Sequence, residues 1–434
     1  MPAMARPEGT TPTAPRSRRS LRKATVGNVL EWYDWNVYAI FAPFFAPELF
    51  DAHDTGGALL QSLMVFAVGF LTRPVGGLLL GRWGDRHGRR AALTLSMVLM
   101  ASGSLLIAVC PTHAAIGWPA PLLVLVARLA QGLSAGGEFG ASSAYVVEIA
   151  PAGRKGLYSS VIYVSNAVGN LLAALLGVIL TASLTTEQMH TWGWRVPFLL
   201  GAGLAGYAYV LRRSMDESHR PGRPEAERDR VARRPAALLR IIGYTLAGTV
   251  VYYTWVVFLP SYASADGHVP EDSALVATTV AQLLFVVALP LAGALADRVG
   301  ARRLLLGFSG AFALLTVPLL ALAPRSFAWL VLVQCVGMVI FSGYGATAPL
   351  VMAEQFPAHL RATGIGLPYG LTVSVFGGTA PYLAAAADHT GNAVAYSGYV
   401  AVVSVISFAF FAGLRPSSNA WALGAPGDHL VKSG

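Results

Sequence analysis

Asn28, Glu31, Asp34, Trp35 and Tyr38 recur at three- and four-residue intervals inside an otherwise apolar run. That spacing places them on one face of a helix. A carboxylate is costly at membrane depth and is kept there for function. The chemistry it offers is binding and releasing a proton. Glu31 and Asp34 are therefore candidate proton carriers; the alternative is pairing with Arg22 or Lys23 near an interface. Arg73 and Arg128 are cations in similar apolar runs, where an unpaired guanidinium costs about 2.5 kcal/mol or more. Its planar fork matches a carboxylate two-handedly. The partner is either a carboxylate of the chain, for instance Asp34 with Arg128, or an anionic substrate; a neutral sugar would not account for these positions. Glu138 follows Arg128 by about 15 Å along a helix and about 80° around it. It must meet another helix, either as a further proton site or as an anchor. Gln131, Tyr163, Asn166, Asn170, Tyr252, Tyr253 and Tyr369 bring hydrogen-bonding groups into apolar surroundings and are expected to line a substrate site.

These residues need elements to hold them. The chain has 434 residues, 55% hydrophobic and 12% charged, where soluble proteins average about 25% charged. Between short charged clusters lie stretches of roughly 20 residues, the length that crosses a ~30 Å hydrocarbon core. Twelve spans are expected, at 24–50, 58–81, 91–111, 119–149, 155–182, 193–211, 237–264, 273–296, 302–323, 327–354, 360–387 and 392–413. In lipid these are helices, because their backbone has no water to bond. Barrel strands are shorter and alternate in polarity.

The net charge of +9 does not point to nucleic acid, because the basic residues sit at alternate connections. Arg16, Arg18, Arg19, Arg22 and Lys23 precede the first span, Arg82, Arg86, Arg89 and Arg90 follow the second, and Arg154 and Lys155 follow the fourth. The intervening loops 51–57 and 112–118 hold no Lys or Arg. The positive-inside rule then puts both termini in the cytoplasm, with the lipid bilayer as the chain's surroundings. Cys110 and Cys335 both lie in apolar runs and offer no disulfide framework. The nine His show no His-x3-His spacing within a span, and no nucleophile–base arrangement is visible. No catalytic residue, metal or cofactor is assigned.

The chain also repeats itself. Gly81-Arg82-Trp83-Gly84-Asp85-Arg86-His87-Gly88-Arg89-Arg90 returns as Gly293-Ala294-Leu295-Ala296-Asp297-Arg298-Val299-Gly300-Ala301-Arg302, at a constant offset of 212. Glu148-Ile149-Ala150-Pro151 with Arg154 similarly answers Glu354-Gln355-Phe356-Pro357 with Arg361. The expected organisation is a disordered tail over 1–22, a bundle over 23–212, a linker over 213–236, a second bundle over 237–415 and a tail over 416–434. In each decapeptide the Asp can hold neighbouring Arg side chains or the positive N-terminus of a helix in the other bundle. Asp85, Arg86, Arg89, Asp297, Arg298 and Arg302 are therefore expected to gate the cytoplasmic side. Gly76, Gly77, Gly81, Gly132, Gly136 and Gly137 are read as close-packing positions.

The decapeptide resembles the loop signature of the major facilitator superfamily, which implies twelve helices in two pseudo-symmetric six-helix bundles. Gly27-Asn28-Val29-Leu30-Glu31-Trp32-Tyr33-Asp34, Gly69-Phe70-Leu71-Thr72-Arg73-Pro74, the run from Arg128 to Glu138, Trp192 to Phe198 and Phe376 to Pro381 are similar to the metabolite:proton symporters. Within that family the resemblance is to the 2-oxoglutarate permease and citrate symporter branch. It implies a monomeric carrier in the inner membrane that imports a small organic acid with protons, by alternating access of a mid-membrane site. Uptake of a zwitterion such as proline or betaine, or of a shikimate-like acid, is the alternative; a sensor that binds without transport is another. Ala301 stands where the first repeat has Arg89, which makes the second gate the weaker one.

Overall fold

The computed structural model describes residues 14–50, 55–213, 217–218, 231–265, 269–389 and 393–414. Residues 1–13, most of the linker read at 213–236, and 415–434 lie outside the described residues. Among the described residues there is no strand.

The protein is a twelve-helix membrane protein. Helix one is Ala14–Leu49; it starts inside the stretch expected to be a tail, because the Arg-, Lys- and Leu-containing run there favours helix. Helix two runs over Thr55–Leu71 and, after a turn at Thr72, Arg73–His87. Helices three to six are Arg89–Ala108, Pro119–Ile149, Lys155–Ser183 and Arg195–Arg213. Helix seven is Pro235–Tyr253, continued through a π turn at Thr254–Phe258 into Leu259–Ala265. Helices eight, nine and ten are Glu271–Val299, Ala301–Leu322 and Phe327–Glu354. Helix eleven is Arg361–Thr372, a π turn at Val373–Gly377, then Gly378–His389. Helix twelve is Ala393–Ala412.

Among the described residues, nine of these helices are long and apolar enough to cross a membrane by length and composition alone. Helices one, six and eleven are not among them, the first two because of polar and charged residues. Helix one carries Asn28, Glu31 and Asp34, and helix six begins at Arg195 and ends in Arg212-Arg213. Leu, Val and Ile side chains such as Leu175, Val178, Leu283, Leu291 and Leu314 stay exposed on the outside of the molecule. In a hydrocarbon solvent that exposure carries no penalty.

The two halves repeat one packing scheme. Helix one lies on five as seven lies on eleven, two on four as eight on ten, and three on six as nine on twelve. The repeated loop is also repeated in backbone. Gly88 and Gly300 cap the N-termini of helices three and nine at φ 102° and 95°, where a side chain would be strained. Between the halves, helix two runs along eleven and helix five along eight. The approach is close because it is made at glycine: a Cβ on Gly77 would lie 2.4 Å from the Gly366 backbone, and one on Gly293 would lie 2.7 Å from the Gly156 carbonyl. The close-packing reading also holds inside the first half, where a Cβ on Gly136 would lie 1.9 Å from the Arg73 carbonyl.

Candidate functional site

Two adjoining cavities lie between the halves. Asn28, Glu31, Trp32 and Trp35 of helix one, Arg73 of helix two, Ala135 and Phe139 of helix four and Tyr369 of helix eleven line the first. Tyr163 and Asn166 of helix five, Gly248, Thr249, Tyr252 and Tyr253 of helix seven and Val373 of helix eleven line the second, together with Trp32 and Tyr369. Trp32 and Tyr369 thus belong to both. The π turns of helices seven and eleven begin just beyond Tyr253 and at Val373, and such turns re-aim side chains where a regular helix would not.

Arg73 opens the second segment of helix two between Thr72, where the helix breaks, and Pro74, which has no N–H to donate. Its guanidinium lies 4.2 Å from the Trp35 ring and 4.4 Å from that of Phe70. Its Nε meets no hydrogen-bond partner, and neither does Oε2 of Glu31 in the same cavity. The cavity therefore presents one cationic and one carboxyl atom with nothing of the protein's own to satisfy them.

Arg128 differs from its expected place. It is fully buried and lies behind Trp35, 4.1 Å from that ring and 4.4 Å from Tyr38. It forms no ion pair with Asp34. Instead Gln131 bridges them: Arg128 Nη1 donates to Gln131 Oε1 at 2.8 Å, and Gln131 Nε2 donates to Asp34 Oδ2 and, at 3.1 Å, to Ser104 Oγ. The Ser104 hydroxyl donates to the other Asp34 oxygen. Nε and Nη2 of Arg128 have no partner. Sequence reasoning grouped Gln131 with the substrate residues; it lies in this chain, and neither it nor Arg128 is among the residues lining the two cavities. Ser104 gave no signal in sequence.

Glu138 meets other helices, as its place on helix four requires. Both of its oxygens accept from Arg212, one at 2.8 Å, and the Ser96 and Ser142 hydroxyls donate to the same carboxylate. The group is wholly buried and both of its oxygens are bonded, so it ties helix four to helices three and six. Arg212 was legible only as one more basic residue at a loop.

Among the polar residues of the second cavity, Asn166 Oδ1 accepts from Tyr252 Oη at 3.2 Å and from Asn170 Nδ2 at 3.2 Å. Asn170 Nδ2 also lies 2.8 Å from Tyr252 Oη. These bonds join helix five to helix seven across the halves. Tyr369 stacks on Phe139, ring centres 3.5 Å apart and 6° from parallel. Tyr163 packs against Phe341 and Tyr344 of helix ten.

At the face that carries the Arg-rich loops, both repeat carboxylates cap a helix of the opposite half. Asp85 accepts from the backbone N–H of Ala362 (3.2 Å) and Thr363 (3.0 Å) and from the Thr363 hydroxyl (2.6 Å) at the start of helix eleven. Asp297 accepts from Gly156 (2.7 Å) and Leu157 (3.0 Å) at the start of helix five. Arg89 pairs with Asp85 at 2.5 Å, donates to the Ala358 carbonyl, and approaches Glu148 at 3.4 Å. Arg361 reaches the same Glu148 oxygen at 3.4 Å. The other three Arg expected at the gate lie elsewhere on this face. Arg86 and Arg298 point outward, and Arg302 donates to the Ala412 carbonyl at 2.8 Å. With Ala301 in place of an Arg, Asp297 has only backbone donors among the hydrogen bonds described. The linker joins the cluster around Asp85: Glu217 accepts from the N–H of Arg89 (2.7 Å) and Arg90 (3.2 Å), and Ser218 donates to Glu148 at 2.7 Å.

Two six-helix halves meeting around a charged cavity, with paired clasps at one face, define a membrane carrier, and the chain belongs to the Major Facilitator Superfamily, whose model matches residues 24–381. It is 40% identical over 392 residues to the alpha-ketoglutarate permease of Escherichia coli (strain K12), covering 89% of this chain and 90% of that protein. It is 34% identical over 387 residues to a citrate-proton symporter of Klebsiella pneumoniae, covering 86% of each. The fold superposes on a proton:xylose symporter bound to 6-bromo-6-deoxy-D-glucose with a TM-score of 0.72 and 18% identity, covering 92% of this chain and 95% of that one.

Proposed function

We propose that this protein imports a small organic acid, 2-oxoglutarate or a related di- or tricarboxylate, together with protons. It does so as a monomer of the inner membrane with both termini cytoplasmic. The observation that carries this reading is the cavity shared by the unsatisfied Arg73 Nε and Glu31 Oε2. While Glu31 is charged it competes with a substrate carboxylate for Arg73; once protonated it leaves the guanidinium to the substrate, so acid and proton load together. Asp34, linked through Gln131 to Arg128, is the second proton group, one layer behind the cavity. The relatives named for alpha-ketoglutarate and for citrate with protons support the substrate class. With the clasps at Asp85 and Asp297 made, the cytoplasmic face is shut; breaking them lets the halves (23–212 and 237–415) rock about the loaded cavity.

The membrane potential adds about 2.3 kcal/mol per charge per 100 mV, so ~150 mV acting on one net charge supports on the order of 300-fold accumulation. A dianion must then travel with at least three protons to gain from the potential. Proteoliposome uptake of labelled 2-oxoglutarate, citrate, shikimate, proline and betaine under an imposed pH gradient tests the reading; only acids are expected to accumulate. Accumulation of betaine or proline alone would favour the second reading, for which the cavity also offers a site. Trp32, Trp35 and Glu31 can hold an ammonium group while Arg73 holds the carboxylate.

A further inference from the structure

The joined cavities are charged at one end only. Glu31 and Arg73 stand in the first. The second has Tyr163, Asn166, Thr249, Tyr252, Tyr253 and the shared Tyr369 as its hydroxyl and amide members, and none of the described residues lining it is charged. The one further cation the sequence offered, Arg128, is enclosed by Trp35, Tyr38 and Phe66 and held by Gln131. A carboxylate is an acceptor only, and away from water it needs a cation or several donors. Hydroxyl, carbonyl, amide and protonated carboxyl groups match Asn, Thr and Tyr side chains, which turn to donate or accept.

We propose that the substrate binds as a monoanion, one carboxylate on Arg73 and an uncharged hydrogen-bonding far end among Asn166, Thr249 and Tyr252. This rests on the organic-acid reading and narrows it. A diacid then enters with its far carboxyl protonated. The O–H bond forms with a proton from the medium and is broken again on release, so one of the coupled protons rides on the substrate.

The test compares matched ligands on the full-length protein in liposomes. These are 2-oxoglutarate against its 5-methyl ester, and glutarate against its half-amide, followed by quenching of tryptophan emission and by competition with labelled 2-oxoglutarate uptake. The uncharged-ended partners are expected to bind within about tenfold of their diacids, a gap of no more than 1.4 kcal/mol, and Arg128→Gln is expected to change both members of a pair by the same factor. Diacids binding by more than that margin over their partners would overturn the proposal. So would a selective loss of diacid binding in Arg128→Gln, because the second carboxylate would then be reaching Arg128. If neither these four ligands nor citrate binds, the organic-acid reading itself falls.

Discussion

Trp35 lies within 4.2 Å of one guanidinium and 4.1 Å of another. The indole separates a cation that faces the cavity from one that faces a carboxylate network. The two arginines should therefore fail differently. Arg73→Lys keeps the charge but loses the planar fork and its stacking, and uptake at limiting substrate is expected to drop about tenfold or more, as for a lost charge-assisted hydrogen bond of ~1.5–3 kcal/mol; wild-type kcat/KM in this variant would remove Arg73 from substrate binding. Asp34→Asn is expected to keep substrate exchange while losing accumulation against a gradient, read by counterflow beside net uptake. Glu138→Gln breaks a buried pair, and such losses cost about 3–5 kcal/mol; a lower melting temperature in detergent is the outcome to look for, and an unchanged one would deny the anchor. At this scale the sequence was legible where an ionisable residue sat alone in an apolar run, as Glu31 and Arg73 do. It was not legible where the partner was a common residue type. Ser96, Ser104 and Arg212 acquire their roles only through helices that meet in space.

At the scale of elements, the linker between the halves does more than connect them. Glu217 caps helix three through the backbone N–H groups of Arg89 and Arg90, and Ser218 reaches Glu148. The same Arg89 side chain holds Asp85. Removing Glu217 leaves that helix end uncapped, a loss of about 1 kcal/mol. Glu217→Ala is expected to loosen the clasp and to raise labelling of a cysteine placed at Thr363 by a membrane-permeant thiol reagent. Labelling equal to that of the wild-type background would show that the linker does not bear on the gate. Spans were legible because lipid demands long apolar helices. The π turns at Thr254–Phe258 and Val373–Gly377 were not, since no local residue pattern announces them. The segment at Glu217 read only as part of a linker over 213–236, because its partners are brought to it by the fold.

At the scale of the molecule, duplication was the most legible property: a constant offset in the chain became a repeated set of helix neighbours and a repeated glycine backbone. The departure from symmetry was legible too, since Ala301 sits where its counterpart is Arg89. Restoring that arginine is an informative change. Ala301→Arg places a guanidinium one helical turn from Asp297, as Arg89 stands to Asp85, and is expected to hold the basic face shut and slow turnover several-fold, an i,i+4 pair contributing ~0.5 kcal/mol at a surface and more when enclosed. Unchanged turnover, with unchanged accessibility of that face, would mean the second clasp does not limit opening.

An unequal pair of latches has a mechanical consequence. The seam of helices two and eleven is fastened by side chains and linker, while that of five and eight hangs on backbone bonds to one aspartate. The halves should then part as a door swings, with the strong seam as its jamb and the weak one leaving its frame early. The first passage to the interior would be a slit along one side.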